Sequence, residues 1–184
     1  GINDQQGVHS TETHVFTEEI ALTYMAALDE NGKATDVYMD SLIICSRTAP
    51  NAAEDKENAF NFFYDELFYE GLNLDAIDKA KAKINADLGT NDKEKIIISV
   101  SAPVINSVFK GKKVEALEDY NEFLKWQVDE VIRRFNESDY KNLELVGFYW
   151  HDEAIKPNEW DNAKSYDYEA CIAFNDYVHS LGYI

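Results

Sequence analysis

The sequence has 184 residues, a length that fits one domain able to bury roughly 70% of the surface its unfolded chain exposes. Its 17 Lys and Arg residues oppose 35 Asp and Glu residues, so the formal net charge is −18 and the pI is about 4.4. This charge repels a nucleic-acid backbone, and no basic patch offsets it. No apolar run approaches the ~20 residues of a membrane span. We therefore expect neither nucleic-acid binding nor a membrane span.

The first seventeen residues are polar and have no apolar period, which predicts a flexible lead-in to one domain over residues 18–184. Residues 18–28 fit helix and strand templates almost equally. A turn sequence at residues 29–32 follows and leads into residues 38–46. The apolar run at 42–45 predicts a strand buried on both faces.

The rest of the chain alternates between strand and helix patterns. Apolar residues spaced three and four apart predict helices around residues 59–70, 75–88, 115–136 and 166–181. β-branched and aromatic runs predict strands over 95–100 and 143–150. Crossovers longer than a dozen residues are typical of βαβ units around a parallel sheet. The predicted fold class is therefore α/β with parallel βα repeats.

Several kinds of site lack support in the sequence. No GxGxxG or GxxxxGK[ST] turn follows a strand, so nucleotide binding loses its main signal. Cys45 and Cys171 lie far apart without a CxxC pattern, which favours small core residues over a zinc site or a disulfide. We expect no metal and no cofactor.

The end of the third predicted strand carries the richest chemistry. Residues 143–150 run directly into an imidazole and two carboxylates at 151–153. In parallel α/β folds, function concentrates at the carboxyl ends of strands. Because side chains alternate along a strand, Tyr149, His151 and Glu153 share one side. We expect these three side chains to face a pocket, and the intervening Phe148 and Trp150 to face the helices.

The same segment resembles a bacterial family catalogued as domain of unknown function 4855. Residues 145–150 and Glu153 match its Leu-Val-Gly-Phe-Tyr-Trp-x-x-Glu stretch, and the resemblance spans about residues 24–153. It implies a TIM-barrel-like, glycosidase-like module directed at carbohydrate. It also implies a secreted, periplasmic or cell-surface protein whose signal peptide has been removed. The other similar stretches are residues 29–32, 38–42 and 96–103.

A closed barrel of this kind takes about 250 residues, so we expect roughly half a barrel in this chain. Another part of a longer protein or another chain would supply the rest. Open sheet edges and an uncovered inner face predict self-association. If residues 20–26 form a strand, Glu153 follows the fourth strand, where many retaining glycosidases of this fold place their acid/base. If they form a helix, that analogy is weaker.

Each predicted site residue has a functional and a structural interpretation. Glu153 is either a general acid/base beside aromatic rings or a surface carboxylate in a loop. His151 either tunes Glu153 or binds a hydroxyl, or is a partly exposed loop histidine. Trp160 and Tyr149 can stack on sugar rings. Arg47 either holds a carboxylate or lies on the surface, and Ser101 is expected to point its hydroxyl to the pocket side.

Three functions compete. The first is a glycoside-hydrolase-like protein that acts on or binds carbohydrate with Glu153 as acid/base. The second is a non-catalytic carbohydrate-binding or surface-assembly module, and the third is an intracellular α/β protein unrelated to sugars. Hydrolysis usually needs two carboxyls across the scissile bond, and one strand end cannot supply both. We therefore predict that residues 1–184 alone hydrolyse no glycoside at an enzymatic rate.

Overall fold

A three-stranded parallel sheet with helices packed on it organises the fold. The computed structural model describes residues 15–45, 55–155, 159–160 and 163–184, without the side chains between 159 and 164. The described helices are α1 (Glu18–Met25), α2 (Lys56–Leu67), α3 (Leu74–Leu88), α4 (Leu117–Ser138) and α5 (Asp167–Ser180). The described strands are β1 (Ala26–Leu28), β2 (Ala34–Val37), β3 (Ser41–Ile44), β4 (Glu94–Val100), β5 (Val108–Phe109), β6 (Lys112–Lys113), β7 (Leu143–Trp150), β8 (Glu159–Trp160) and β9 (Ala163–Lys164).

Strands β3, β4 and β7 pair in that order, and both pairings are parallel. This confirms the predicted α/β class and the parallel arrangement of all three predicted strands. Helices α2 and α3 lie between β3 and β4 in the chain, and α4 lies between β4 and β7. Such long crossovers are what parallel pairing requires.

The two faces of this sheet differ in how far they are covered. Leu42, Ile98 and Phe148 are buried in the core that the sheet shares with the helices. We call the opposite side the open face, and there Ile43 is 52% exposed while Ile97 is half-buried. The predicted burial of the first strand on both faces is therefore wrong, because β3 is an edge strand packed on one side only.

Residues 18–28 adopt the two predicted alternatives in succession, as α1 and then β1. The Thr17 side chain accepts a hydrogen bond from the Ile20 N–H, which starts the helix. The predicted turn at 29–32 joins β1 to the antiparallel strand β2, which the sequence pattern did not predict. Because β1 lies outside the parallel sheet, Glu153 follows the third strand of that sheet, not the fourth.

The helix predictions are confirmed to within a few residues. Gly89 ends α3 in the left-handed conformation with a φ of 70°, a position that favours glycine. The apolar stripe of α4, including Leu124, Val128 and Val131, is buried as its spacing predicts. Among the described helices, none combines the length and the apolar character that crossing a bilayer would need.

Candidate functional site

The carboxyl ends of the three parallel strands bring four polar side chains into one neighbourhood. Ser99 lies opposite Tyr149 in the β4–β7 register. The Ser99 hydroxyl forms a hydrogen bond with the Cys45 thiol, and the charge of Glu153 acts on the same thiol. Cys45 directly follows β3, so each strand of the sheet contributes to this group.

Tyr149 and Glu153 form the central contact of the site. The Tyr149 hydroxyl donates a hydrogen bond to Oε1 of Glu153. This bond is the main reason that the pKa of Tyr149 rises to about 12. The phenol therefore stays protonated at neutral pH and remains a hydrogen-bond donor. The carboxylate of Glu153 is exposed, and its Oε2 has no hydrogen bond among the described residues.

The turn that carries Glu153 has a strained backbone and is held by two hydrogen bonds. Glu153 has a φ of 52°, in the left-handed region that costs a non-glycine residue free energy. Its backbone N–H donates to the Trp150 carbonyl at 3.2 Å, and the Trp150 indole N–H donates to the Ala154 carbonyl at 3.1 Å. These two bonds fix the path of the chain, and strain of this kind clusters at functional sites.

Cys45 is half-buried at the edge of this group. Burial raises the pKa of the Cys45 thiol and the charge of Glu153 adds to the rise, while the bond from Ser99 opposes it. A protonated thiol is a poor nucleophile and a poor metal ligand. Both cysteines were interpreted as core residues, but Cys171, like Cys45, is only half-buried.

His151 is held at the same edge by its backbone. Its N–H donates to the Val100 carbonyl at 2.9 Å, which extends the β4–β7 pairing beyond the strands. Its Nδ1 is inaccessible and has no hydrogen-bond partner among the described residues. A buried polar atom without a partner is uncommon in proteins. The ring of His151 therefore has hydrogen-bonding capacity that this structure leaves unused.

A cleft of about 510 Å³ opens beside the end of β7. Glu153 is the only carboxylate among its described lining residues. The Trp150 ring packs on Phe174 of α5 at 5.9 Å, as strand alternation predicts for the helix side. The predicted separation of the two sets is nevertheless wrong, because Phe148 and Trp150 line the same cleft as Tyr149 and Glu153, and His151 is not among its described lining residues. The lining residues are Phe148, Tyr149, Trp150, Glu153, Ala154, Ile155 and Cys171.

The other predicted binding residues are placed less fully. Arg47 lies outside the described residues, and only the backbone of Trp160 is described, as part of β8. Ser101 follows β4, and its main chain is held by a residue that the sequence analysis missed. The Ser101 N–H donates to Gln127 Oε1 at 3.2 Å, and Gln127 Nε2 donates to the Ser101 carbonyl at 3.0 Å. The sequence offered one signal of this role, since Gln127 is a polar residue at a position of α4 where the spacing predicts an apolar one.

The amino ends of the parallel strands hold a different set of charges. Asp40 pairs there with Lys95 at 3.3 Å, so it is remote from Glu153, as its place before β3 predicts. Lys81 and Glu94 form an ion pair at 3.3 Å with both side chains buried. A second cleft of about 560 Å³ lies at this edge. In the described part of the chain, no group of three or more His, Cys, Asp or Glu residues is arranged to hold a metal ion.

Comparison with known proteins adds one finding. The model of a family described as a domain of unknown function (DUF4855) matches residues 5–183. The chain belongs to this family. The match extends well beyond the stretch from about residue 24 to 153 that carries the sequence resemblance. No curated protein and no solved structure matches the chain.

Proposed function

We propose that this chain carries the acid/base side of a glycoside-hydrolase-like carbohydrate site, with Glu153 as the acid/base. The arrangement of Glu153 supports this proposal: a carboxylate in a strained turn at the carboxyl end of a parallel strand, bound by the Tyr149 hydroxyl. A surface carboxylate would need neither the strain nor the partner. The carboxyl ends of such strands are where this class of fold places its chemistry.

The contacts around Glu153 assign a role to each neighbour. Tyr149 orients the carboxyl group through Oε1 and leaves Oε2 toward a ligand hydroxyl or glycosidic oxygen. Trp150 and Ile155 give the cleft an apolar wall, which suits the C–H faces of a sugar ring. His151 Nδ1 is a further partner for a ligand hydroxyl if the ring turns toward it.

Hydrolysis by this site requires a second carboxyl group. Retaining glycosidases hold their two carboxyls about 5–5.5 Å apart and inverting enzymes about 6.5–9.5 Å apart. Glu153 has no such partner among the described residues that line its cleft. We therefore propose that this chain by itself binds carbohydrate and does not hydrolyse it at an enzymatic rate. The single carboxylate equally favours the alternative, a non-catalytic carbohydrate-binding or surface-assembly module.

The proposed architecture is roughly half of a TIM-barrel-like sheet. The strand order follows the chain order, the helices cover one face, and Ile43 is exposed on the other. An open face and free edges favour self-association of the isolated chain, which analytical ultracentrifugation measures. A monodisperse monomer at high concentration would contradict the half-barrel proposal.

The experiment compares binding and turnover in matched variants. Wild type, Glu153→Gln, Tyr149→Phe and the control Glu144→Gln are tested on a polysaccharide panel and on chromogenic glycosides. Glu144 is exposed on the same strand but at its other end, so its substitution should leave binding unchanged. We expect Glu153→Gln to weaken binding on the order of tenfold, because a charge-assisted hydrogen bond is lost.

The outcomes separate the candidates. Turnover abolished by Glu153→Gln would confirm the acid/base and refute the missing-partner argument. Turnover unaffected by that substitution would remove Glu153 from the mechanism. Binding that Glu153→Gln leaves unchanged, or no binding at all, would contradict the site itself.

A secreted, periplasmic or cell-surface location belongs to the same proposal. It rests on the family resemblance, because a protein directed at polysaccharide meets its ligand outside the cell. Fractionation of the native host with an antibody to this chain tests it. Recovery from the cytosol alone would favour the intracellular alternative.

A further inference from the structure

The main chain of Ile184 pairs with β7 on the side away from β4. The Ile184 N–H donates to the Val146 carbonyl at 3.0 Å, and the Phe148 N–H donates to the Ile184 carbonyl at 2.9 Å. One residue that bonds to both neighbours of its partner is the pattern of a parallel bridge. Ile184 therefore lies opposite Gly147 in the register of a parallel pairing with β7.

Gly147 is the residue that makes this approach sterically possible. A Cβ atom added to Gly147 would lie 2.3 Å from the carbonyl oxygen of Ile184 and 2.7 Å from its Cγ1. Gly71 and Gly89 differ, because they have positive φ values and open space around them. Gly147 is not among the glycines with positive φ. Its lack of a side chain therefore serves the neighbouring segment and not its own backbone.

The surface beside this bridge has the character of an interface. The cleft of about 510 Å³ lies along the carboxyl half of β7, with Cys171 of α5 in its wall. Tyr168 and Ile172 of the same helix are exposed, and so is Ile155 at the cleft. Exposed apolar side chains beside a cleft are typical of surfaces on which other protein segments pack.

We infer that the outer edge of β7 is a docking edge for the segment formed by Tyr183 and Ile184, and that the missing side chain of Gly147 admits this segment. The Tyr183 ring anchors the segment by packing edge-on against Phe148 at 5.7 Å. Gly147 is thus a positioning residue for this edge of the sheet. The inference goes beyond the proposed function, since it does not depend on a carbohydrate ligand.

The test is a double-mutant cycle in the full chain. Gly147→Ala introduces the Cβ, and Ile184→Pro removes the N–H that donates to Val146. We measure the urea midpoint and the hydrogen exchange of the Phe148 amide by NMR. Gly147→Ala should lower the midpoint and speed Phe148 exchange on the order of tenfold, because the acceptor on Ile184 is displaced. Ile184→Pro should do the same.

The combined variant decides the inference. In the Ile184→Pro background the segment no longer lies against β7, so the added Cβ has no steric clash. Gly147→Ala should then have little further effect on the urea midpoint or on Phe148 exchange. An equal loss in both backgrounds would show that β7 itself needs the glycine and would overturn the inference, as would unchanged Phe148 exchange in Gly147→Ala. If Gly147→Ala does not fold, folding of the combined variant supports the inference and its failure overturns it. Glu144→Ala is the control, because Glu144 is exposed at the other end of β7, away from Ile184, and its substitution should leave Phe148 exchange unchanged.

Discussion

The amino ends of the three parallel strands, called here the amino edge, and their carboxyl ends, called the carboxyl edge, each hold a carboxylate with a partner. The two carboxylates differ in burial and in the kind of partner. At the amino edge, Glu94 is 1% exposed and pairs with the buried ammonium of Lys81. At the carboxyl edge, Glu153 is exposed and strained, and among the described residues its carboxylate accepts a hydrogen bond only from the Tyr149 hydroxyl. Buried charges must be paired for the fold to be stable, whereas an exposed carboxylate is free to meet a ligand. We therefore expect the Lys81–Glu94 pair to matter for stability, and we propose the chemistry only for Glu153.

The largest expected effect lies at the amino edge. Lys81→Met leaves the carboxylate of Glu94 buried without its cation and should lower the free energy of unfolding by about 3–5 kcal/mol. Urea denaturation measures the change. The matched control Lys81→Met/Glu94→Leu removes both charges and should recover most of the loss. A loss below about 1 kcal/mol in the single variant would remove the distinction between the edges.

The same pair predicts a pH dependence. Burial raises the pKa of Glu94 above its ordinary value of 4.5, with the charge of Lys81 opposing the rise. The folded state then binds this proton more tightly than the unfolded chain does. The resulting contribution to the free energy of unfolding is fully present below pH 4.5 and is lost as the pH rises through the folded-state pKa. Without the opposing cation, Lys81→Met should lose more stability relative to wild type at pH 7 than at pH 4. Equal losses at both pH values would contradict a buried, partner-dependent carboxyl.

A smaller effect on the free energy of unfolding is expected at Gln127, which lies beneath the carboxyl edge. Gln127 is fully buried and makes both of its bonds to the main chain of Ser101. Gln127→Met should cost about 1–3 kcal/mol, because the N–H and carbonyl of Ser101 lose their partners. Urea denaturation and exchange of the Ser101 amide check this. Glu122→Met, on the exposed side of the same helix, should change stability by less than about 0.5 kcal/mol.

Relief of strain at Glu153 should have the opposite sign. Glycine adopts the left-handed conformation without a steric cost, so Glu153→Gly should raise the free energy of unfolding by about 0.5–1 kcal/mol. The same change should abolish carbohydrate binding. Glu153→Gln keeps the strained backbone and should leave stability nearly unchanged. A destabilised Glu153→Gly variant would mean that the carboxyl contributes to the fold.

The finest test of the carboxyl edge changes a titration and not the stability. Glu153→Gln replaces the carboxylate, whose hydrogen bond and charge raise the pKa of Tyr149 to about 12, with a neutral and weaker acceptor, so that pKa should fall toward its ordinary value near 10. The difference in ultraviolet titration between each protein and its Tyr149→Phe counterpart isolates this one phenol. An unchanged titration would show that the two side chains do not share a hydrogen bond in solution.

The sequence pattern predicted the elements whose signal is local. Helices α3 and α4 follow from apolar residues on one helical side, and a glycine, Gly89, ends α3. The grouping of Tyr149 with Glu153 was predicted from strand alternation, but Glu153 lies beyond β7 in a turn, and this turn brings its carboxylate to the Tyr149 hydroxyl. The short strands β2, β5, β6, β8 and β9 were missed, because two to four residues carry too little pattern to be recognised.

The sequence by itself determined the α/β class and the parallel strands, because periodicity is a property of neighbouring residues. Only the tertiary structure decided that Ile43 faces an open surface and that Cys45 lies beside Ser99. It alone showed that Gln127 supports Ser101 and that Gly147 admits Ile184. These facts depend on contacts between residues far apart in the chain. Such contacts are set by how helices and strands pack, and no local period encodes them.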